Sequence, residues 1–322
     1  MDRITLGAKG ISASRLCLGA LGFGSLIDRD ASFAVLDRFA EAGGTFLDSS
    51  NNYAFWLEGA DGGESERTVG EWMADRGVRD RMVVGTKVGY LPRTPGDRTI
   101  DDPEPLSAER IAESVGESLE RLRTDRIDVL WSHRDDRETP LEETVRGFGA
   151  VMAEGRVGVV GAANHESWRV ERARSLAANA GVEGYSLLQK RYSYLQPRPG
   201  AALESAAHRH ASPADLDFTA HTEGMALLAY SSLLAGAYTS PDKGIEGAYD
   251  HPGTAARLAV LDEVAREADA TRNQVVLAWL LGQEATIVPL VGASSVAQLD
   301  ETIAALDLEL TPEQLRRMNE AA

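Results

Sequence analysis

From residue 16 onward the chain alternates short β-prone runs with longer runs of helical periodicity, and this alternation most limits the fold it can adopt. Eight apolar runs fall at residues 16–20, 45–47, 82–86, 127–132, 157–162, 185–188, 225–230 and 287–291. Helix signals lie between them. Asp30 is placed to cap a helix through Ala42, stopped at Gly43-Gly44, and Gly77 closes another over 64–76. Ser107 opens a helix whose Ile111, Val115, Leu119 and Leu122 line one face. Further helices are expected over 140–154, 167–179, 255–268, 273–281 and 295–306, and from Ser212-Pro213 to near Gly224.

Eight strands, each followed by a helix, make the profile of an α/β chain closed into a (β/α)8 TIM barrel. Residues 4–6 and 11–14, around a bend at Gly7-Ala8-Lys9-Gly10, predict an N-terminal β-hairpin. Thr311-Pro312-Glu313-Gln314 predicts an extra C-terminal helix with a capping box. A doubly wound sheet would need a glycine fingerprint opening a helix. Gly22-Phe23-Gly24 runs instead into Ser25-Leu26-Ile27, without the third glycine. No internal repeat breaks the pattern, so residues 1–322 are expected to form a single barrel domain. Long loops over 89–106, 196–213 and 240–253 are the segments expected to cover a ligand.

The chain carries 33 basic and 50 acidic residues, a net charge of −17. That balance argues against nucleic acid and against anionic membranes as partners, both of which call for a basic face. No run approaches the ~20 apolar residues of a membrane span. Cys17 is the only cysteine, which excludes an internal disulfide and a cysteine-based zinc site, and it reads as a small core residue in Leu16-Cys17-Leu18. The expectation is a cytoplasmic protein acting on a small molecule; nothing in the sequence indicates its oligomeric state.

A barrel of this kind places its chemistry at the C-terminal ends of its strands. Those ends hold Asp48 and Tyr53, Lys87, His133, Asn164, Gln189, and Tyr230-Ser231. A single Asp after a strand is ordinary turn chemistry, and a lone lysine or histidine there is ordinarily structural. Their coincidence at six successive strand ends is not explained that way. The group Asp48, Tyr53, Lys87 and His133 also makes chemical sense. A free phenol, with a pKa of ~10, is a weak acid at neutral pH, and a nearby ammonium favours its ionised form. Asp48 would balance the charge of Lys87, and His133 could donate a hydrogen bond to a carbonyl oxygen. Such a set can protonate a carbonyl oxygen while the carbon receives a hydride.

The chain resembles the aldo-keto reductase superfamily over nearly its whole length. The resemblance rests on Phe46-Leu47-Asp48-Ser49-Ser50-Asn51-Asn52-Tyr53, Gly85-Thr86-Lys87-Val88 and Ile127-Asp128-Val129-Leu130-Trp131-Ser132-His133. Gly63-Glu64-Ser65-Glu66, Ala163-Asn164-His165, Ala229-Tyr230-Ser231 and Val291-Gly292-Ala293-Ser294-Ser295 add to it. It implies a catalytic tetrad of Asp48, Tyr53 as proton donor, Lys87 and His133. It implies further that Gly19, Ala20, Leu21 and Asp48 line a nicotinamide cofactor, with Asn164 and Gln189 on the carboxamide and Tyr230 on the ring. Ser231, Leu233 and Gly236 would follow the pyrophosphate, and Ser294, Gln298 and Glu301 the adenosine. The implied cofactor is NADP, with NADPH preferred over NADH, although Ser294-Ser295 supply no basic side chain where members that strongly prefer NADPH often carry one. Phe55 and Trp56, beside Tyr53, and His133 are the candidate substrate contacts.

The implied activity is reduction of an aldehyde or ketone to the alcohol, with a small carbonyl compound as partner and no metal. Two other readings start from the same barrel. A cofactor-binding regulatory module would keep the cleft but turn over little. A metal-dependent hydrolase would draw ligands from His208, His210 and His165, with Asp48 or Lys87 joining them, yet His208 and His210 lie away from any strand end.

Overall fold

The computed structural model describes every residue except 8, 206, 241 and 322, so Ala8 of the expected hairpin bend lies outside the described residues. Strands β1 (Arg3–Leu6) and β2 (Ile11–Ser14) form an antiparallel hairpin. The chain then runs through β3 (Cys17–Gly19), α1 (Arg29–Glu41), β4 (Phe46–Asp48), α2 (Glu64–Arg76), β5 (Val83–Val88) and α3 (Ala108–Leu122). Next come β6 (Ile127–Ser132), α4 (Leu141–Ala153), β7 (Val157–Ala163), α5 (Ser167–Asn179), β8 (Leu187–Arg191) and α6 (Pro213–His221). It ends with β9 (Ala226–Tyr230), α7 (Pro252–Glu267), α8 (Arg272–Leu281), β10 (Ile287–Val291), α9 (Val296–Ala304) and α10 (Pro312–Glu320). Strands β3 to β10 pair in parallel and close into a barrel, the (β/α)8 architecture expected from the alternation.

Side-chain alternation sorts the apolar residues into two cores. Phe46, Val83, Val129, Trp131, Leu187 and Val288 fill the barrel interior, while Leu47, Val84 and Leu130 face the helices. Leu6 and Ala13 of the hairpin join the interior cluster, so the hairpin plugs the N-terminal end of the barrel. Ser14 locks it there: its Oγ accepts from the backbone N–H of Thr45 and of Phe46, each at 3.0 Å. The opposite end is left for chemistry.

The register sets the height of each rim residue. Gly19, Asp48, Gly85 and Val129 sit side by side across β3 to β6. Lys87 is two residues further along β5, opposite Trp131, and therefore points inward one layer above Asp48.

Some boundaries differ from the sequence expectation. The N-cap of α1 is Asp28, whose Oδ1 accepts from Ala31 N at 2.8 Å, not Asp30, which lies in the first turn. Strand β8 is displaced to Leu187–Arg191 because its two charged residues are buried in ion pairs, Lys190 with Asp215 and Arg191 with Glu204. Helix α6 stops at His221, short of Gly224, and α7 starts at Pro252, a residue suited to a first helical turn.

Helices α2 and α3 touch backbone to backbone at Gly70. A Cβ there would lie 2.5 Å from the Arg121 carbonyl oxygen and 2.6 Å from the Leu122 carbonyl carbon. Gly70→Ala should therefore destabilise by about 1–3 kcal/mol through overpacking, despite the better helix propensity of alanine. A thermal melt should fall by several degrees, and an unchanged or raised midpoint would refute the close contact.

Candidate active site

Lys87 is the centre of the site. It is 1% exposed, and its Nζ donates to Asp48 Oδ2, to the Ser49 carbonyl at 2.8 Å and to the Tyr53 hydroxyl at 2.8 Å. Three acceptors account for the three N–H bonds of an ammonium. Burial pulls the Lys87 pKa down, but Asp48 and Tyr53 outweigh it and the net direction is upward. The lysine is therefore charged. Burial pushes the Asp48 carboxyl up, opposed by Lys87, and we take the pair as ionised because the ammonium has no other counter-ion within bonding distance. The second oxygen of Asp48 accepts no hydrogen bond; the Trp131 indole N–H, also unpartnered, stands close by. Gly85 leaves room for both: a Cβ there would sit 3.1 Å from Asp48 Oδ1 and 3.3 Å from Trp131 Nε1.

Tyr53 receives its hydrogen bond from Lys87, which leaves the phenol's own proton free to point elsewhere. Its pKa is raised: burial is the largest cause, Lys87 pulls it down, and Asp48 pushes it up. Lys87 acts on the phenol in the expected, acid-strengthening direction, but it is outweighed. Burial wins, and Tyr53 stays protonated at neutral pH.

His133 follows β6 directly and is tied to it through His133 N donating to the Val88 carbonyl at 2.9 Å. A chain of hydrogen bonds assigns its tautomer. The Asn52 amide donates to the Tyr90 carbonyl at 2.7 Å, which orients the amide and makes Asn52 Oδ1 the acceptor for Ser50 Oγ at 2.8 Å. With its own proton spent, Ser50 Oγ accepts from His133 Nδ1 at 3.2 Å. Burial, helped by Lys87 and His208, holds His133 well below the usual imidazole range, so the ring is neutral. Its proton is on Nδ1, and Nε2 is an acceptor. The expected hydrogen bond from His133 to a carbonyl oxygen requires the other tautomer, with the proton on Nε2.

Tyr53 and His133 open onto a cleft of about 820 Å3 that runs from the barrel mouth to the start of α9. Gly19, Leu21, Asn164, Gln189, Tyr230, Ser231, Leu233, Gly236, Ser294, Gln298 and Glu301 all line it. Ala20, Asp48 and Lys87 do not; they are buried behind it. Phe55 and Trp56 do not line it either, and pack edge-to-face on each other at 5.3 Å. Asn164 has less to offer a ligand than its position suggests. Its Oδ1 accepts from Tyr230 OH at 2.8 Å and from Arg209 N at 3.1 Å, and its amide donates to the His133 carbonyl at 3.2 Å. Gln189 gives one long hydrogen bond, 3.4 Å, to Asp48 and keeps its carbonyl oxygen.

Beyond Tyr230 the wall is a turn of unusual backbone. Ser231, Leu234 and Ala235 have φ of 52°, 47° and 53°, and Gly236 has 89°. Such conformations are uncommon outside glycine, and successive amides in them form anion-binding concavities. The turn is braced from behind, where Ser193 Oγ donates to the Ser232 carbonyl at 2.6 Å. Lys243, which sequence reasoning missed in its polar loop, lines the cleft here. An elongated cleft with the Gln189 amide at one end, an anion cradle in the middle and polar side chains at the other has the donor and acceptor set for a dinucleotide.

The remaining histidines are not poised for metal. His165 is buried and its Nδ1 donates to the Ala163 carbonyl at 2.8 Å, while His208 packs against Tyr230 with ring centroids 5.7 Å apart. Among the described residues no group of three or more His, Cys, Asp or Glu side chains could hold a metal ion. No described helix is long and apolar enough to cross a membrane.

A profile of the aldo/keto reductase family matches residues 15–322. An aryl-alcohol dehydrogenase of Pestalotiopsis microspora is 31% identical over 329 residues, which cover 98% of this chain and 80% of the relative. A norsolorinic acid reductase of Aspergillus flavus is 30% identical, covering 99% of this chain and 80% of the relative. An uncharacterized oxidoreductase of Bacillus subtilis is 29% identical, with 99% and 95% covered.

Burial has a consequence for acid stability. It lowers the pKa of His133, His165, His208 and His210, and brings His165 and His210 to about 4. An unfolded chain protonates these rings at ~6.5. Between about 6.5 and 4 the unfolded state thus binds more protons than the folded one, so stability rises with pH across that window. Each fully neutral ring contributes a slope of up to ~1.4 kcal/mol per pH unit. Urea midpoints should drop clearly from pH 7 to pH 5; a flat profile would contradict the buried neutral imidazoles.

Proposed function

Because the chain belongs to the aldo/keto reductase family, we propose that it reduces an aldehyde or ketone to the alcohol, with a nicotinamide dinucleotide as donor. The observation that carries this reading is the Lys87 ammonium joining Asp48 to the Tyr53 hydroxyl at the mouth of the cleft. A reduced nicotinamide, when bound, supplies the hydride to the carbonyl carbon. Everything else falls to the protein. Gln189, with its free carbonyl oxygen, and the remaining N–H of Asn164 hold the carboxamide, and Tyr230 flanks the ring. Ser231, Leu233 and Gly236 follow the pyrophosphate, and the far end by Ser294, Gln298 and Glu301 takes the adenosine.

Tyr53 gives its proton to the carbonyl oxygen as negative charge grows there. Lys87 already donates to the phenol oxygen, so the phenolate left behind is stabilised at once by an ammonium at 2.8 Å. Asp48 keeps that ammonium in place. His133 offers Nε2 as an acceptor, which suits the hydroxyl of the alcohol better than the oxygen of the carbonyl.

On the substrate side the cleft presents the rings of Tyr53, His133 and His208, with Tyr90 packed behind His133 at 5.3 Å. These edges, together with the likeness to an aryl-alcohol dehydrogenase, favour an aryl carbonyl compound. Phe55 and Trp56 are left to shape the loop that carries Tyr53.

Tyr53→Phe is the direct test. The ring and its packing remain, so dinucleotide affinity should stay within about twofold, while turnover of an aryl aldehyde falls by at least ~10²-fold. Retained turnover would rule out Tyr53 as the acid. Wild-type protein that binds the dinucleotide but oxidises none of it across a carbonyl screen would favour the regulatory module.

A further inference from the structure

A dinucleotide with its nicotinamide beside Tyr53 must run the length of the cleft, because the wall behind Tyr53 is closed by the buried Asp48, Lys87 and Trp131. The far end is formed by Asn273, Ser294, Gln298, Glu301 and Thr302. The diphosphate falls between these ends. NADPH carries a further phosphate ester on its adenosine ribose, with a charge near −1.5 to −2 at neutral pH.

The cations decide what that phosphate would meet. Lys243 is the one lysine or arginine among the described residues that line the cleft. It belongs to the middle, not the far end: its Nζ donates to the Ala235 carbonyl at 2.5 Å and lies 3.8 Å from where a Cβ on Gly236 would stand. That is the left-handed turn where the diphosphate passes. Two arginines stand near the far end, and both are committed. Arg272, beside Asn273 in the chain, grips Asp262 with hydrogen bonds of 2.6 and 2.8 Å. Arg38 meets Asp300, the neighbour of Glu301, at 2.6 Å.

The donors of Ser294, at the far end, are committed too. Ser294 gives both its N–H and its hydroxyl to Gln298 Oε1, each at 2.9 Å. Ser295 Oγ accepts from Gln298 N as the helix cap. The Ser295 hydroxyl proton, the Gln298 amide N–H groups and the first amides of α9 remain as uncharged donors. Among the described residues, however, the one charged side chain lining this end is the Glu301 carboxylate, fixed by Thr271 Oγ1 at 2.8 Å. A carboxylate can accept a hydrogen bond from a ribose hydroxyl, and it repels a phosphate in the same place.

We infer that this cleft selects against the third phosphate, and that the protein binds NADH at least as tightly as NADPH. The inference rests on the reductase reading above and reverses the preference that the family resemblance implies. Lys243 serves the diphosphate common to both nucleotides.

The test is an equilibrium titration of the intact protein with NADH and with NADPH, read by nucleotide emission or tryptophan quenching, on wild type and Lys243→Ala. The expected result is a Kd for NADH equal to or below that for NADPH, with Lys243→Ala weakening both alike by about tenfold. Tighter binding of NADPH to wild type overturns the inference, as does a Lys243→Ala effect confined to NADPH, which would make Lys243 the seat of the third phosphate. If neither nucleotide binds, the reductase reading itself falls.

Discussion

The site depends on keeping one ammonium charged inside a parallel barrel. A buried lysine ordinarily sheds its proton, because desolvation of the charge costs several kcal/mol. Lys87 keeps it through three short hydrogen bonds, one to a carboxylate, one to a carbonyl and one to a phenol. Each of those partners comes from a different feature of the chain. Asp48 ends β4 and points inward, the Ser49 carbonyl belongs to the bend that follows, and Tyr53 is brought back by the loop. The geometry therefore requires β4 and β5 to be neighbours in one particular register, since a slip of one residue would turn Asp48 to the helix side. A buried ion pair is weak evidence for stability. Here it reads as a device for position, with the phenol as the group positioned.

Around this centre the loops are held by carboxylates that never reach the cleft. Glu66 on α2 accepts from Thr86 on β5 and from Arg121 on α3, fixing the strand next to Lys87. Glu104 accepts from Asn51 at 2.9 Å and from Gly89 N at 2.7 Å, so the 89–106 loop is pinned to the segment that leads to Tyr53. Arg110 and Ser114 of α3 complete its shell. The same loop supplies the Tyr90 carbonyl that orients Asn52, and through Ser50 the proton of His133. The chemistry of one imidazole is thus set by a backbone carbonyl three contacts away.

Legibility in the sequence follows from how local each cause is. Strands β6 and β10 were readable to the residue because their apolar runs coincide with the paired segment. Strand β8 was not, since Lys190 and Arg191 look like its end until Asp215 and Glu204 arrive from the long loop and the helix after it. The cap expected at Asp30 lies two residues earlier, where Asp28 has extended backbone and its Oδ1 accepts from Ala31 N. Among the site residues, those at strand ends could be found from the alternation alone. Phe55 and Trp56 show the limit of that logic: closeness to Tyr53 along the chain does not bring them to the cleft. The tautomer of His133 and the place of Lys243 depend on contacts spanning loops, which no periodicity encodes.

Charge closes the argument. A protein of net charge −17 could not draw an anionic dinucleotide in by its overall field, which opposes the approach. The attraction would have to be short-ranged, and the cleft offers Lys243 and the backbone amides of a turn bent into left-handed conformations at Ser231, Leu234 and Ala235. Such a cradle acts over a few ångströms and is exhausted by the charges directly in front of it. Added salt screens the long-range repulsion more than these close contacts. A cleft built this way has one cation among the described residues to offer a diphosphate and little left for further negative charge, so on the proposed reading its economy of cations and its choice of nucleotide would have the same physical origin.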